Sequence, residues 1–210
     1  MYIPKSYNRI RQKNLSKEKY EYEKKILSMV LALCMVLTMM PVPTMAVDDV
    51  EYKIWVGGIQ VTSANKDNIT GGGITGTVSY DPITSTLTLN NENISSAYNT
   101  TGYNDTVCIY SEANTPLILN LVGENIITGV NAVQSSYGIR CSRHLTIEGK
   151  GSLSVTSGKG GGTNYDSSAI LTQGGLIIKN TTLDVRGEKY GLFGYINSNI
   201  GRHCQGESIC

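Results

Sequence analysis

The segment Leu145-Thr146-Ile147-Glu148-Gly149, followed by Gly151-Ser152-Leu153-Ser154-Val155, decides the fold of this 210-residue chain. Apolar residues alternate with polar ones, which is typical of short strands with one buried face. Glycine and polar residues, rather than a helical pattern, separate the two strands. Each strand is too short to be stable alone, so the pattern predicts that many such strands stack together.

The same pattern recurs along the chain at a nearly constant interval. Four segments open with a leucine strand, and their leucines are 30, 28 and 31 residues apart: Leu87, Leu117, Leu145 and Leu176. A second strand follows each (Asn93–Ser95, Asn125–Thr128, Leu153–Val155, Leu183–Val185), and then a third (Cys108–Tyr110, Gly138–Arg140, Ala169–Leu171, Gly191–Phe193). Such an interval is the signature of a repeat architecture. We therefore predict an all-β fold, a right-handed parallel β-helix of about four coils.

The repeat predicts which side chains line up from coil to coil. Leu87, Leu117, Leu145 and Leu176 form one interior column, and Ile109, Ile139, Ile170 and Leu192 form another. In the outward columns, Glu148 is expected beside Lys179, Asn90 beside Asn120, and Ser95, Ile127, Ser154 and Asp184 in one row. These outward pairs are structural rather than catalytic.

Residues 51–86 do not follow the repeat. Lys53–Val61 is expected to form a hairpin that turns at Gly57-Gly58, and Thr77–Leu87 a hairpin that turns at Asp81-Pro82. A solenoid exposes unpaired strand edges at its ends, which need a cover. We therefore assign residues 47–86 to an N-terminal β-hairpin cap and residues 87–195 to the coils. Residues 196–210 lack the repeat, and we expect an irregular tail of a truncated or longer protein.

The first segment differs in composition from the rest. Eight of the 18 Lys and Arg residues precede residue 26, and no glycine precedes residue 47. An apolar run, Ile26–Met40, then leads to Pro41–Ala46, which has small residues where a signal peptidase cleaves. We predict a signal peptide over residues 1–46, cleaved after Ala46, and hence a secreted or cell-surface protein. An uncleaved signal anchor is the alternative.

The charge of the mature chain limits its expected binding partners, and the spacing of its cysteines limits its expected disulfides. Ten basic and fourteen acidic residues follow Ala46, a formal charge of −4. This balance disfavours nucleic acid, and after cleavage a membrane, as partners. Cys108 and Cys141 are offset by three residues in the repeat, which is beyond disulfide reach, so both are expected to be reduced. Cys204 and Cys210 are free to pair with each other.

The segments Trp55-Val56-Gly57-Gly58-Ile59-Gln60-Val61-Thr62, Val78-Ser79-Tyr80-Asp81-Pro82 and Thr86-Leu87-Thr88-Leu89-Asn90 resemble the opening of a group of secreted or cell-surface proteins of Gram-positive bacteria. The resemblance covers nearly all of the mature chain. It implies a right-handed parallel β-helix of the pectate-lyase-like type. Proteins of this kind are often described as carbohydrate-binding, a description that rests mostly on the fold.

No catalytic, metal or cofactor site is predicted. The acidic and histidine motifs of polygalacturonase-like enzymes are absent, and Asp184 beside Arg186 is a sparse site for the lyase chemistry of this fold. Gly158–Thr163 lacks the spacing of a phosphate-binding loop.

Binding is the favoured function. Tyr98, Tyr103 and Tyr165 lie in polar connections between second and third strands, on one side of the solenoid, and are the candidate ligand-binding residues. Covering an apolar corner is the structural alternative for these rings. We predict a non-catalytic extracellular module that binds a polysaccharide or a host or cell-surface glycan. The alternative is a polysaccharide lyase or hydrolase whose active site is lost or lies on missing coils.

Overall fold

The computed structural model describes residues 5–38 and 48–194, and within the first range it describes the side chains of residues 17–35. The chain divides into two units, Met1–Val47 and Asp48–Cys210. The first contains one helix, α1 (Lys5–Thr38), whose described side chains are exposed. Within the described part of the chain, no helix combines the length and apolar character that crossing a membrane requires. The predicted cleavage site after Ala46 and the predicted tail, with Cys204 and Cys210, lie outside the described residues.

The described part of the second unit, residues 48–194, is built from strands. They are β1 (Glu51–Val56), β2 (Ile59–Thr62), β3 (Ile74–Asp81), β4 (Thr86–Ile94), β5 (Tyr98–Asn99), β6 (Thr106–Ser111), β7 (Leu117–Val122), β8 (Glu124–Thr128), β9 (Ser136–Cys141), β10 (Leu145–Gly149), β11 (Ser152–Thr156), β12 (Ser168–Thr172), β13 (Leu176–Lys179), β14 (Thr182–Arg186) and β15 (Tyr190–Gly194).

Parallel pairing between strands of successive repeats builds a solenoid. One sheet has the order β15-β12-β9-β6-β1-β2, and the other has the order β13-β10-β7-β4-β8-β11-β14. The sets β7–β9, β10–β12 and β13–β15 repeat with the same pairing, so the solenoid has about three turns. The prediction of an all-β right-handed parallel β-helix is confirmed at this level.

The N-terminal strands pair antiparallel with the first parallel strands. β1 and β2 form a hairpin around Gly57 and Gly58, both at positive φ, and β1 also pairs with β6. β3 pairs with β4, and its turn is fixed by Asp81, whose carboxylate accepts hydrogen bonds from the Ile83 N–H (2.9 Å) and the Thr84 hydroxyl (2.7 Å). These bonds lower the pKa of Asp81.

Most of the predicted columns are present, with one shift of register. Leu117, Leu145 and Leu176 align, as do Ile109, Ile139, Ile170 and Leu192. The prediction that Leu87 aligns with Leu117 is wrong, because Leu87 lies beside Leu119. The predicted neighbours Asn90 and Asn120 are likewise wrong. Asn90 lies beside Val122, and the Asn120 amide donates a hydrogen bond to the Thr88 hydroxyl (3.4 Å). A shift of two residues leaves the same side chains facing inward.

The outward row of the second strands also differs from the prediction at two positions. The row is Asn93, Ile126, Ser154 and Asp184. Ile127 is buried in the core, whereas Ile126 is exposed, and Ser95 lies beyond the end of β4. Two adjacent isoleucines do not by themselves show which of them faces the core. In β8 Asn125 faces inward, so Ile127 also faces inward and Ile126 faces solvent.

Two buried polar residues interrupt the aliphatic core. Asn125 accepts a hydrogen bond from the Glu92 N–H (3.0 Å), and its amide donates to the carbonyl of Ser152 (3.1 Å) one turn further along the stack. Glu92 is 1% exposed, and its Oε1 accepts a hydrogen bond from the Thr75 N–H (2.8 Å). Its other oxygen, Oε2, has no partner among the described residues. A bulge in β3 at Gly76 makes room for this carboxyl group, since a Cβ there would lie 2.7 Å from Oε2.

Candidate functional site: the loop stack

The connections from second to third strands lie one above another along the solenoid. We call residues 100–105, 129–135, 157–167 and 187–189 the loop stack. Residues 100–105 join β5 to β6 within one sheet, whereas in the other three connections the chain leaves one sheet and enters the other. Short strands on both sides fix the ends of all four. Loops held on a rigid scaffold in this way are common positions for binding residues.

Hydrogen bonds tie each loop to the next. The Gln134 N–H donates to the Asn104 carbonyl (3.4 Å), and the Gly161 N–H donates to the Gln134 carbonyl (2.8 Å). Further along, the Gly160 N–H donates to the Glu188 carboxylate (2.7 Å). The loops also approach closely, because a Cβ at Gly161 would lie 1.7 Å from the Val133 carbonyl oxygen. The glycine-rich connection is therefore packed against its neighbours.

Three successive loops each present a large side chain to solvent. Tyr103 is 65% exposed, Val133 is 72% exposed and Tyr165 is 39% exposed. Two of these residues are predicted ligand-binding residues, and the loop-to-loop hydrogen bonds place both on the same stack of loops. Val133 is not anticipated by the sequence reasoning. The sequence feature that could have identified Val133 is a large apolar residue in a Gly- and Asn-containing connection, at a position outside any segment with apolar–polar alternation.

Tyr98, the third predicted ligand-binding residue, lies elsewhere. It belongs to β5, which pairs antiparallel with β6, and it is half-buried. Its ring stacks on Trp55 (centroids 4.7 Å apart) and on Tyr110 (5.6 Å). Trp55 and Tyr110 pack against this ring, which is the environment expected of a ring that covers an apolar surface.

A buried ion pair anchors the first loop. Asp105 accepts hydrogen bonds from the Arg140 guanidinium (3.0 Å) and from the Ser135 N–H (3.0 Å). The guanidinium group also lies over the rings of Tyr110 and Tyr137, with its carbon 5.6 and 5.4 Å from their centroids. Burial raises the pKa of both phenols. Both rings are therefore neutral at physiological pH, and Arg140 joins the first loop to the outer face of the sheet.

The described residues contain few groups suited to catalysis or metal binding. No cluster of three or more His, Cys, Asp or Glu residues capable of holding a metal lies within the described ranges. Asp184 and Arg186 share an outward face, as predicted, and form an exposed ion pair (3.0 Å). Cys108 and Cys141 are free, as predicted, and burial raises the pKa of each thiol to about 12. Neither thiol is therefore an activated nucleophile.

No protein-family model, curated protein or solved structure was found that matches the chain.

Proposed function

We propose that this chain is a secreted, non-catalytic module that binds glycans through the loop stack. The observation that carries the proposal is that Tyr103 and Tyr165 are exposed on the first and third loops of the stack, and each of these loops is hydrogen-bonded to the loop between them. An exposed tyrosine ring offers a flat apolar face to a sugar ring and a hydroxyl group for hydrogen bonding. The surrounding exposed side chains of Thr101, Asn104 and Asn164 supply uncharged hydrogen-bonding groups for sugar hydroxyls.

The rest of the chain fits this role. A signal peptide over residues 1–46 delivers the module to the cell surface or the medium. Four coils form the scaffold if β4 and β6 are counted as the first. The β1–β2 hairpin and β3 cap this coil, because they pair with β6 and β4 on the side away from β9 and β7. We also propose that the chain is a surface protein of Gram-positive bacteria, as the resemblance implies.

A polysaccharide pull-down tests the proposal. The full chain is incubated with insoluble glucan, xylan, mannan, chitin and cross-linked polygalacturonate, and the bound fraction is measured. We expect retention by at least one polymer, strongly reduced in the double variant Tyr103→Ala/Tyr165→Ala. Ile83→Ala is the matched control, because Ile83 is an exposed apolar residue in the β3–β4 turn, outside the loop stack.

The same incubations test the non-catalytic part of the proposal. Reducing ends and unsaturated uronates are measured in the supernatant over time. Release of either product above a boiled-protein blank would show catalysis and favour the lyase or hydrolase alternative. Retention that is equal in the wild type and the double variant would show that the two tyrosines are not part of the binding site.

A further inference from the structure

We infer that the ligand of the loop stack is an uncharged linear glycan that runs parallel to the solenoid axis and touches Tyr103, Val133 and Tyr165 in turn. This inference rests on the proposed function and specifies the charge, the length and the direction of the ligand. Two independent observations carry it, the charge balance of the loop stack and the position of its exposed side chains.

The ionisable groups of the loop stack neutralise one another. Asp105 pairs with Arg140, which enters from β9, and Asp166 pairs with Lys189 (2.5 Å). The remaining acid, Glu188, and the remaining base, Lys159, balance in charge, and Glu188 already accepts the Gly160 N–H. The loops therefore offer no excess of positive charge to a uronate, sulfate or phosphate polymer. Recognition of polyanions in proteins depends on such an excess.

The exposed side chains follow the order of the loops along the solenoid, and we call these three residues the row. Tyr103, Val133 and Tyr165 lie on three consecutive loops, and the hydrogen bonds from the Gln134 N–H to Asn104 and from the Gly161 N–H to Gln134 set the order. Neighbouring turns of a parallel stack are about 4.8 Å apart, so the outer two loops are separated by roughly 10 Å along the axis. A single sugar ring spans one loop, whereas a chain of several sugars reaches all three.

The close packing of the loops makes the row rigid. Gly161 lies directly against the Val133 carbonyl, and the Ala132 N–H donates to the Lys159 carbonyl (2.9 Å). The Lys159 N–H in turn donates to the Asn131 side chain (2.8 Å). A preorganised row loses little entropy on binding an extended chain, and several weak contacts along it act together.

Isothermal titration calorimetry on the full chain tests the inference. The probes are the neutral hexasaccharides of β-1,4-linked glucose, xylose, mannose and N-acetylglucosamine, the corresponding disaccharides, and hexagalacturonate. We expect one neutral hexasaccharide to bind at least about tenfold more tightly than its disaccharide and hexagalacturonate not to bind. Because the ligand is uncharged, a roughly tenfold rise in NaCl concentration should leave the affinity unchanged.

Variants locate the contacts. Tyr103→Ala and Tyr165→Ala should each weaken hexasaccharide binding by about tenfold, and Val133→Ala by a few-fold, with Ile83→Ala as the neutral control. The emission spectrum of Trp55, which lies outside the loop stack, should be unchanged in all four if they fold normally.

Three results would overturn the inference, in whole or in part, and leave the proposed function standing. One is tight, salt-sensitive binding of hexagalacturonate, and another is a disaccharide that binds as tightly as its hexasaccharide. A hexasaccharide affinity that depends on one tyrosine alone would likewise overturn the axial direction. If no glycan binds in calorimetry or in the pull-down, the inference and the proposed function both fail.

Discussion

Replacing Glu92 by glutamine should stabilise the protein at neutral pH. Glu92 is 1% exposed, and its Oε2 has no hydrogen-bond partner among the described residues. Burial raises the pKa of this carboxyl group above its ordinary value of 4.5, although the hydrogen bond from Thr75 opposes the rise. The folded state therefore holds the proton more tightly than the unfolded state does.

The sign of the pH dependence follows from that difference. The stabilising contribution of Glu92 is fully present below its unfolded-state pKa and is lost as the pH rises through its folded-state pKa. Leaving a buried polar group unsatisfied costs about 1–3 kcal/mol, and ionised groups lie at the upper end or beyond. Near pH 4 the wild type and Glu92→Gln should have free energies of unfolding within about 0.5 kcal/mol of each other. Near pH 7 the variant should be more stable by about 1–3 kcal/mol.

Urea denaturation, followed by the fluorescence of the single tryptophan, Trp55, measures both free energies across this pH range. Glu124→Gln is the control, because it makes the same substitution at an exposed position, at the start of β8. A stability difference between Glu92→Gln and the wild type that stays constant from pH 4 to pH 7 would refute the reasoning.

Three further predictions concern the core and the outward columns. Asn125→Ala should lower the free energy of unfolding by about 2–4 kcal/mol, because it removes bonds to two neighbouring turns, and a loss below about 1 kcal/mol would contradict this. Cys108 and Cys141, with thiol pKa values near 12, should not react with Ellman's reagent at pH 8 until urea unfolds the chain, and rapid labelling of either residue in the folded protein, located by peptide mass spectrometry to separate it from the exposed Cys34, would show otherwise. Lys179→Met should change stability by about 0.3 kcal/mol or less, because its ion pair with Glu148 (3.6 Å) is exposed, and thermal unfolding would detect a larger effect.

The repeat in the sequence predicted the architecture and most of the register. The alignment of Leu117, Leu145 and Leu176 and the pair Glu148–Lys179 were predictable because the same apolar–polar alternation recurs at intervals of 28 and 31 residues. Leu87 was misplaced by two residues because apolar alternation has period two and is unchanged by such a shift. The long strand β4 pairs with both β7 and β8, and this double pairing sets the register of Leu87 against β7. The residue types of β4 do not indicate that it pairs with two strands.

The candidate site was predictable in part. Tyr103 and Tyr165 stand among glycine, threonine and asparagine, so their position in loops was evident from the sequence. Tyr98 stands in a similar context, but its stacking depends on Trp55, which is distant in sequence and reaches it only through the pairing of β1 with β6. The buried pair Glu92 and Asn125 was also beyond the sequence patterns, because polar residues are ordinarily placed on the outer face.

The most direct test of the account compares the affinity of the wild type and Tyr103→Ala/Tyr165→Ala for the glycan retained in the pull-down. The account predicts that the double variant, folded as judged by its Trp55 emission, loses about a hundredfold in affinity, since two independent tenfold effects multiply. Ile83→Ala should bind as the wild type does. A folded double variant with unchanged affinity would contradict the claim that the loop stack is the binding site.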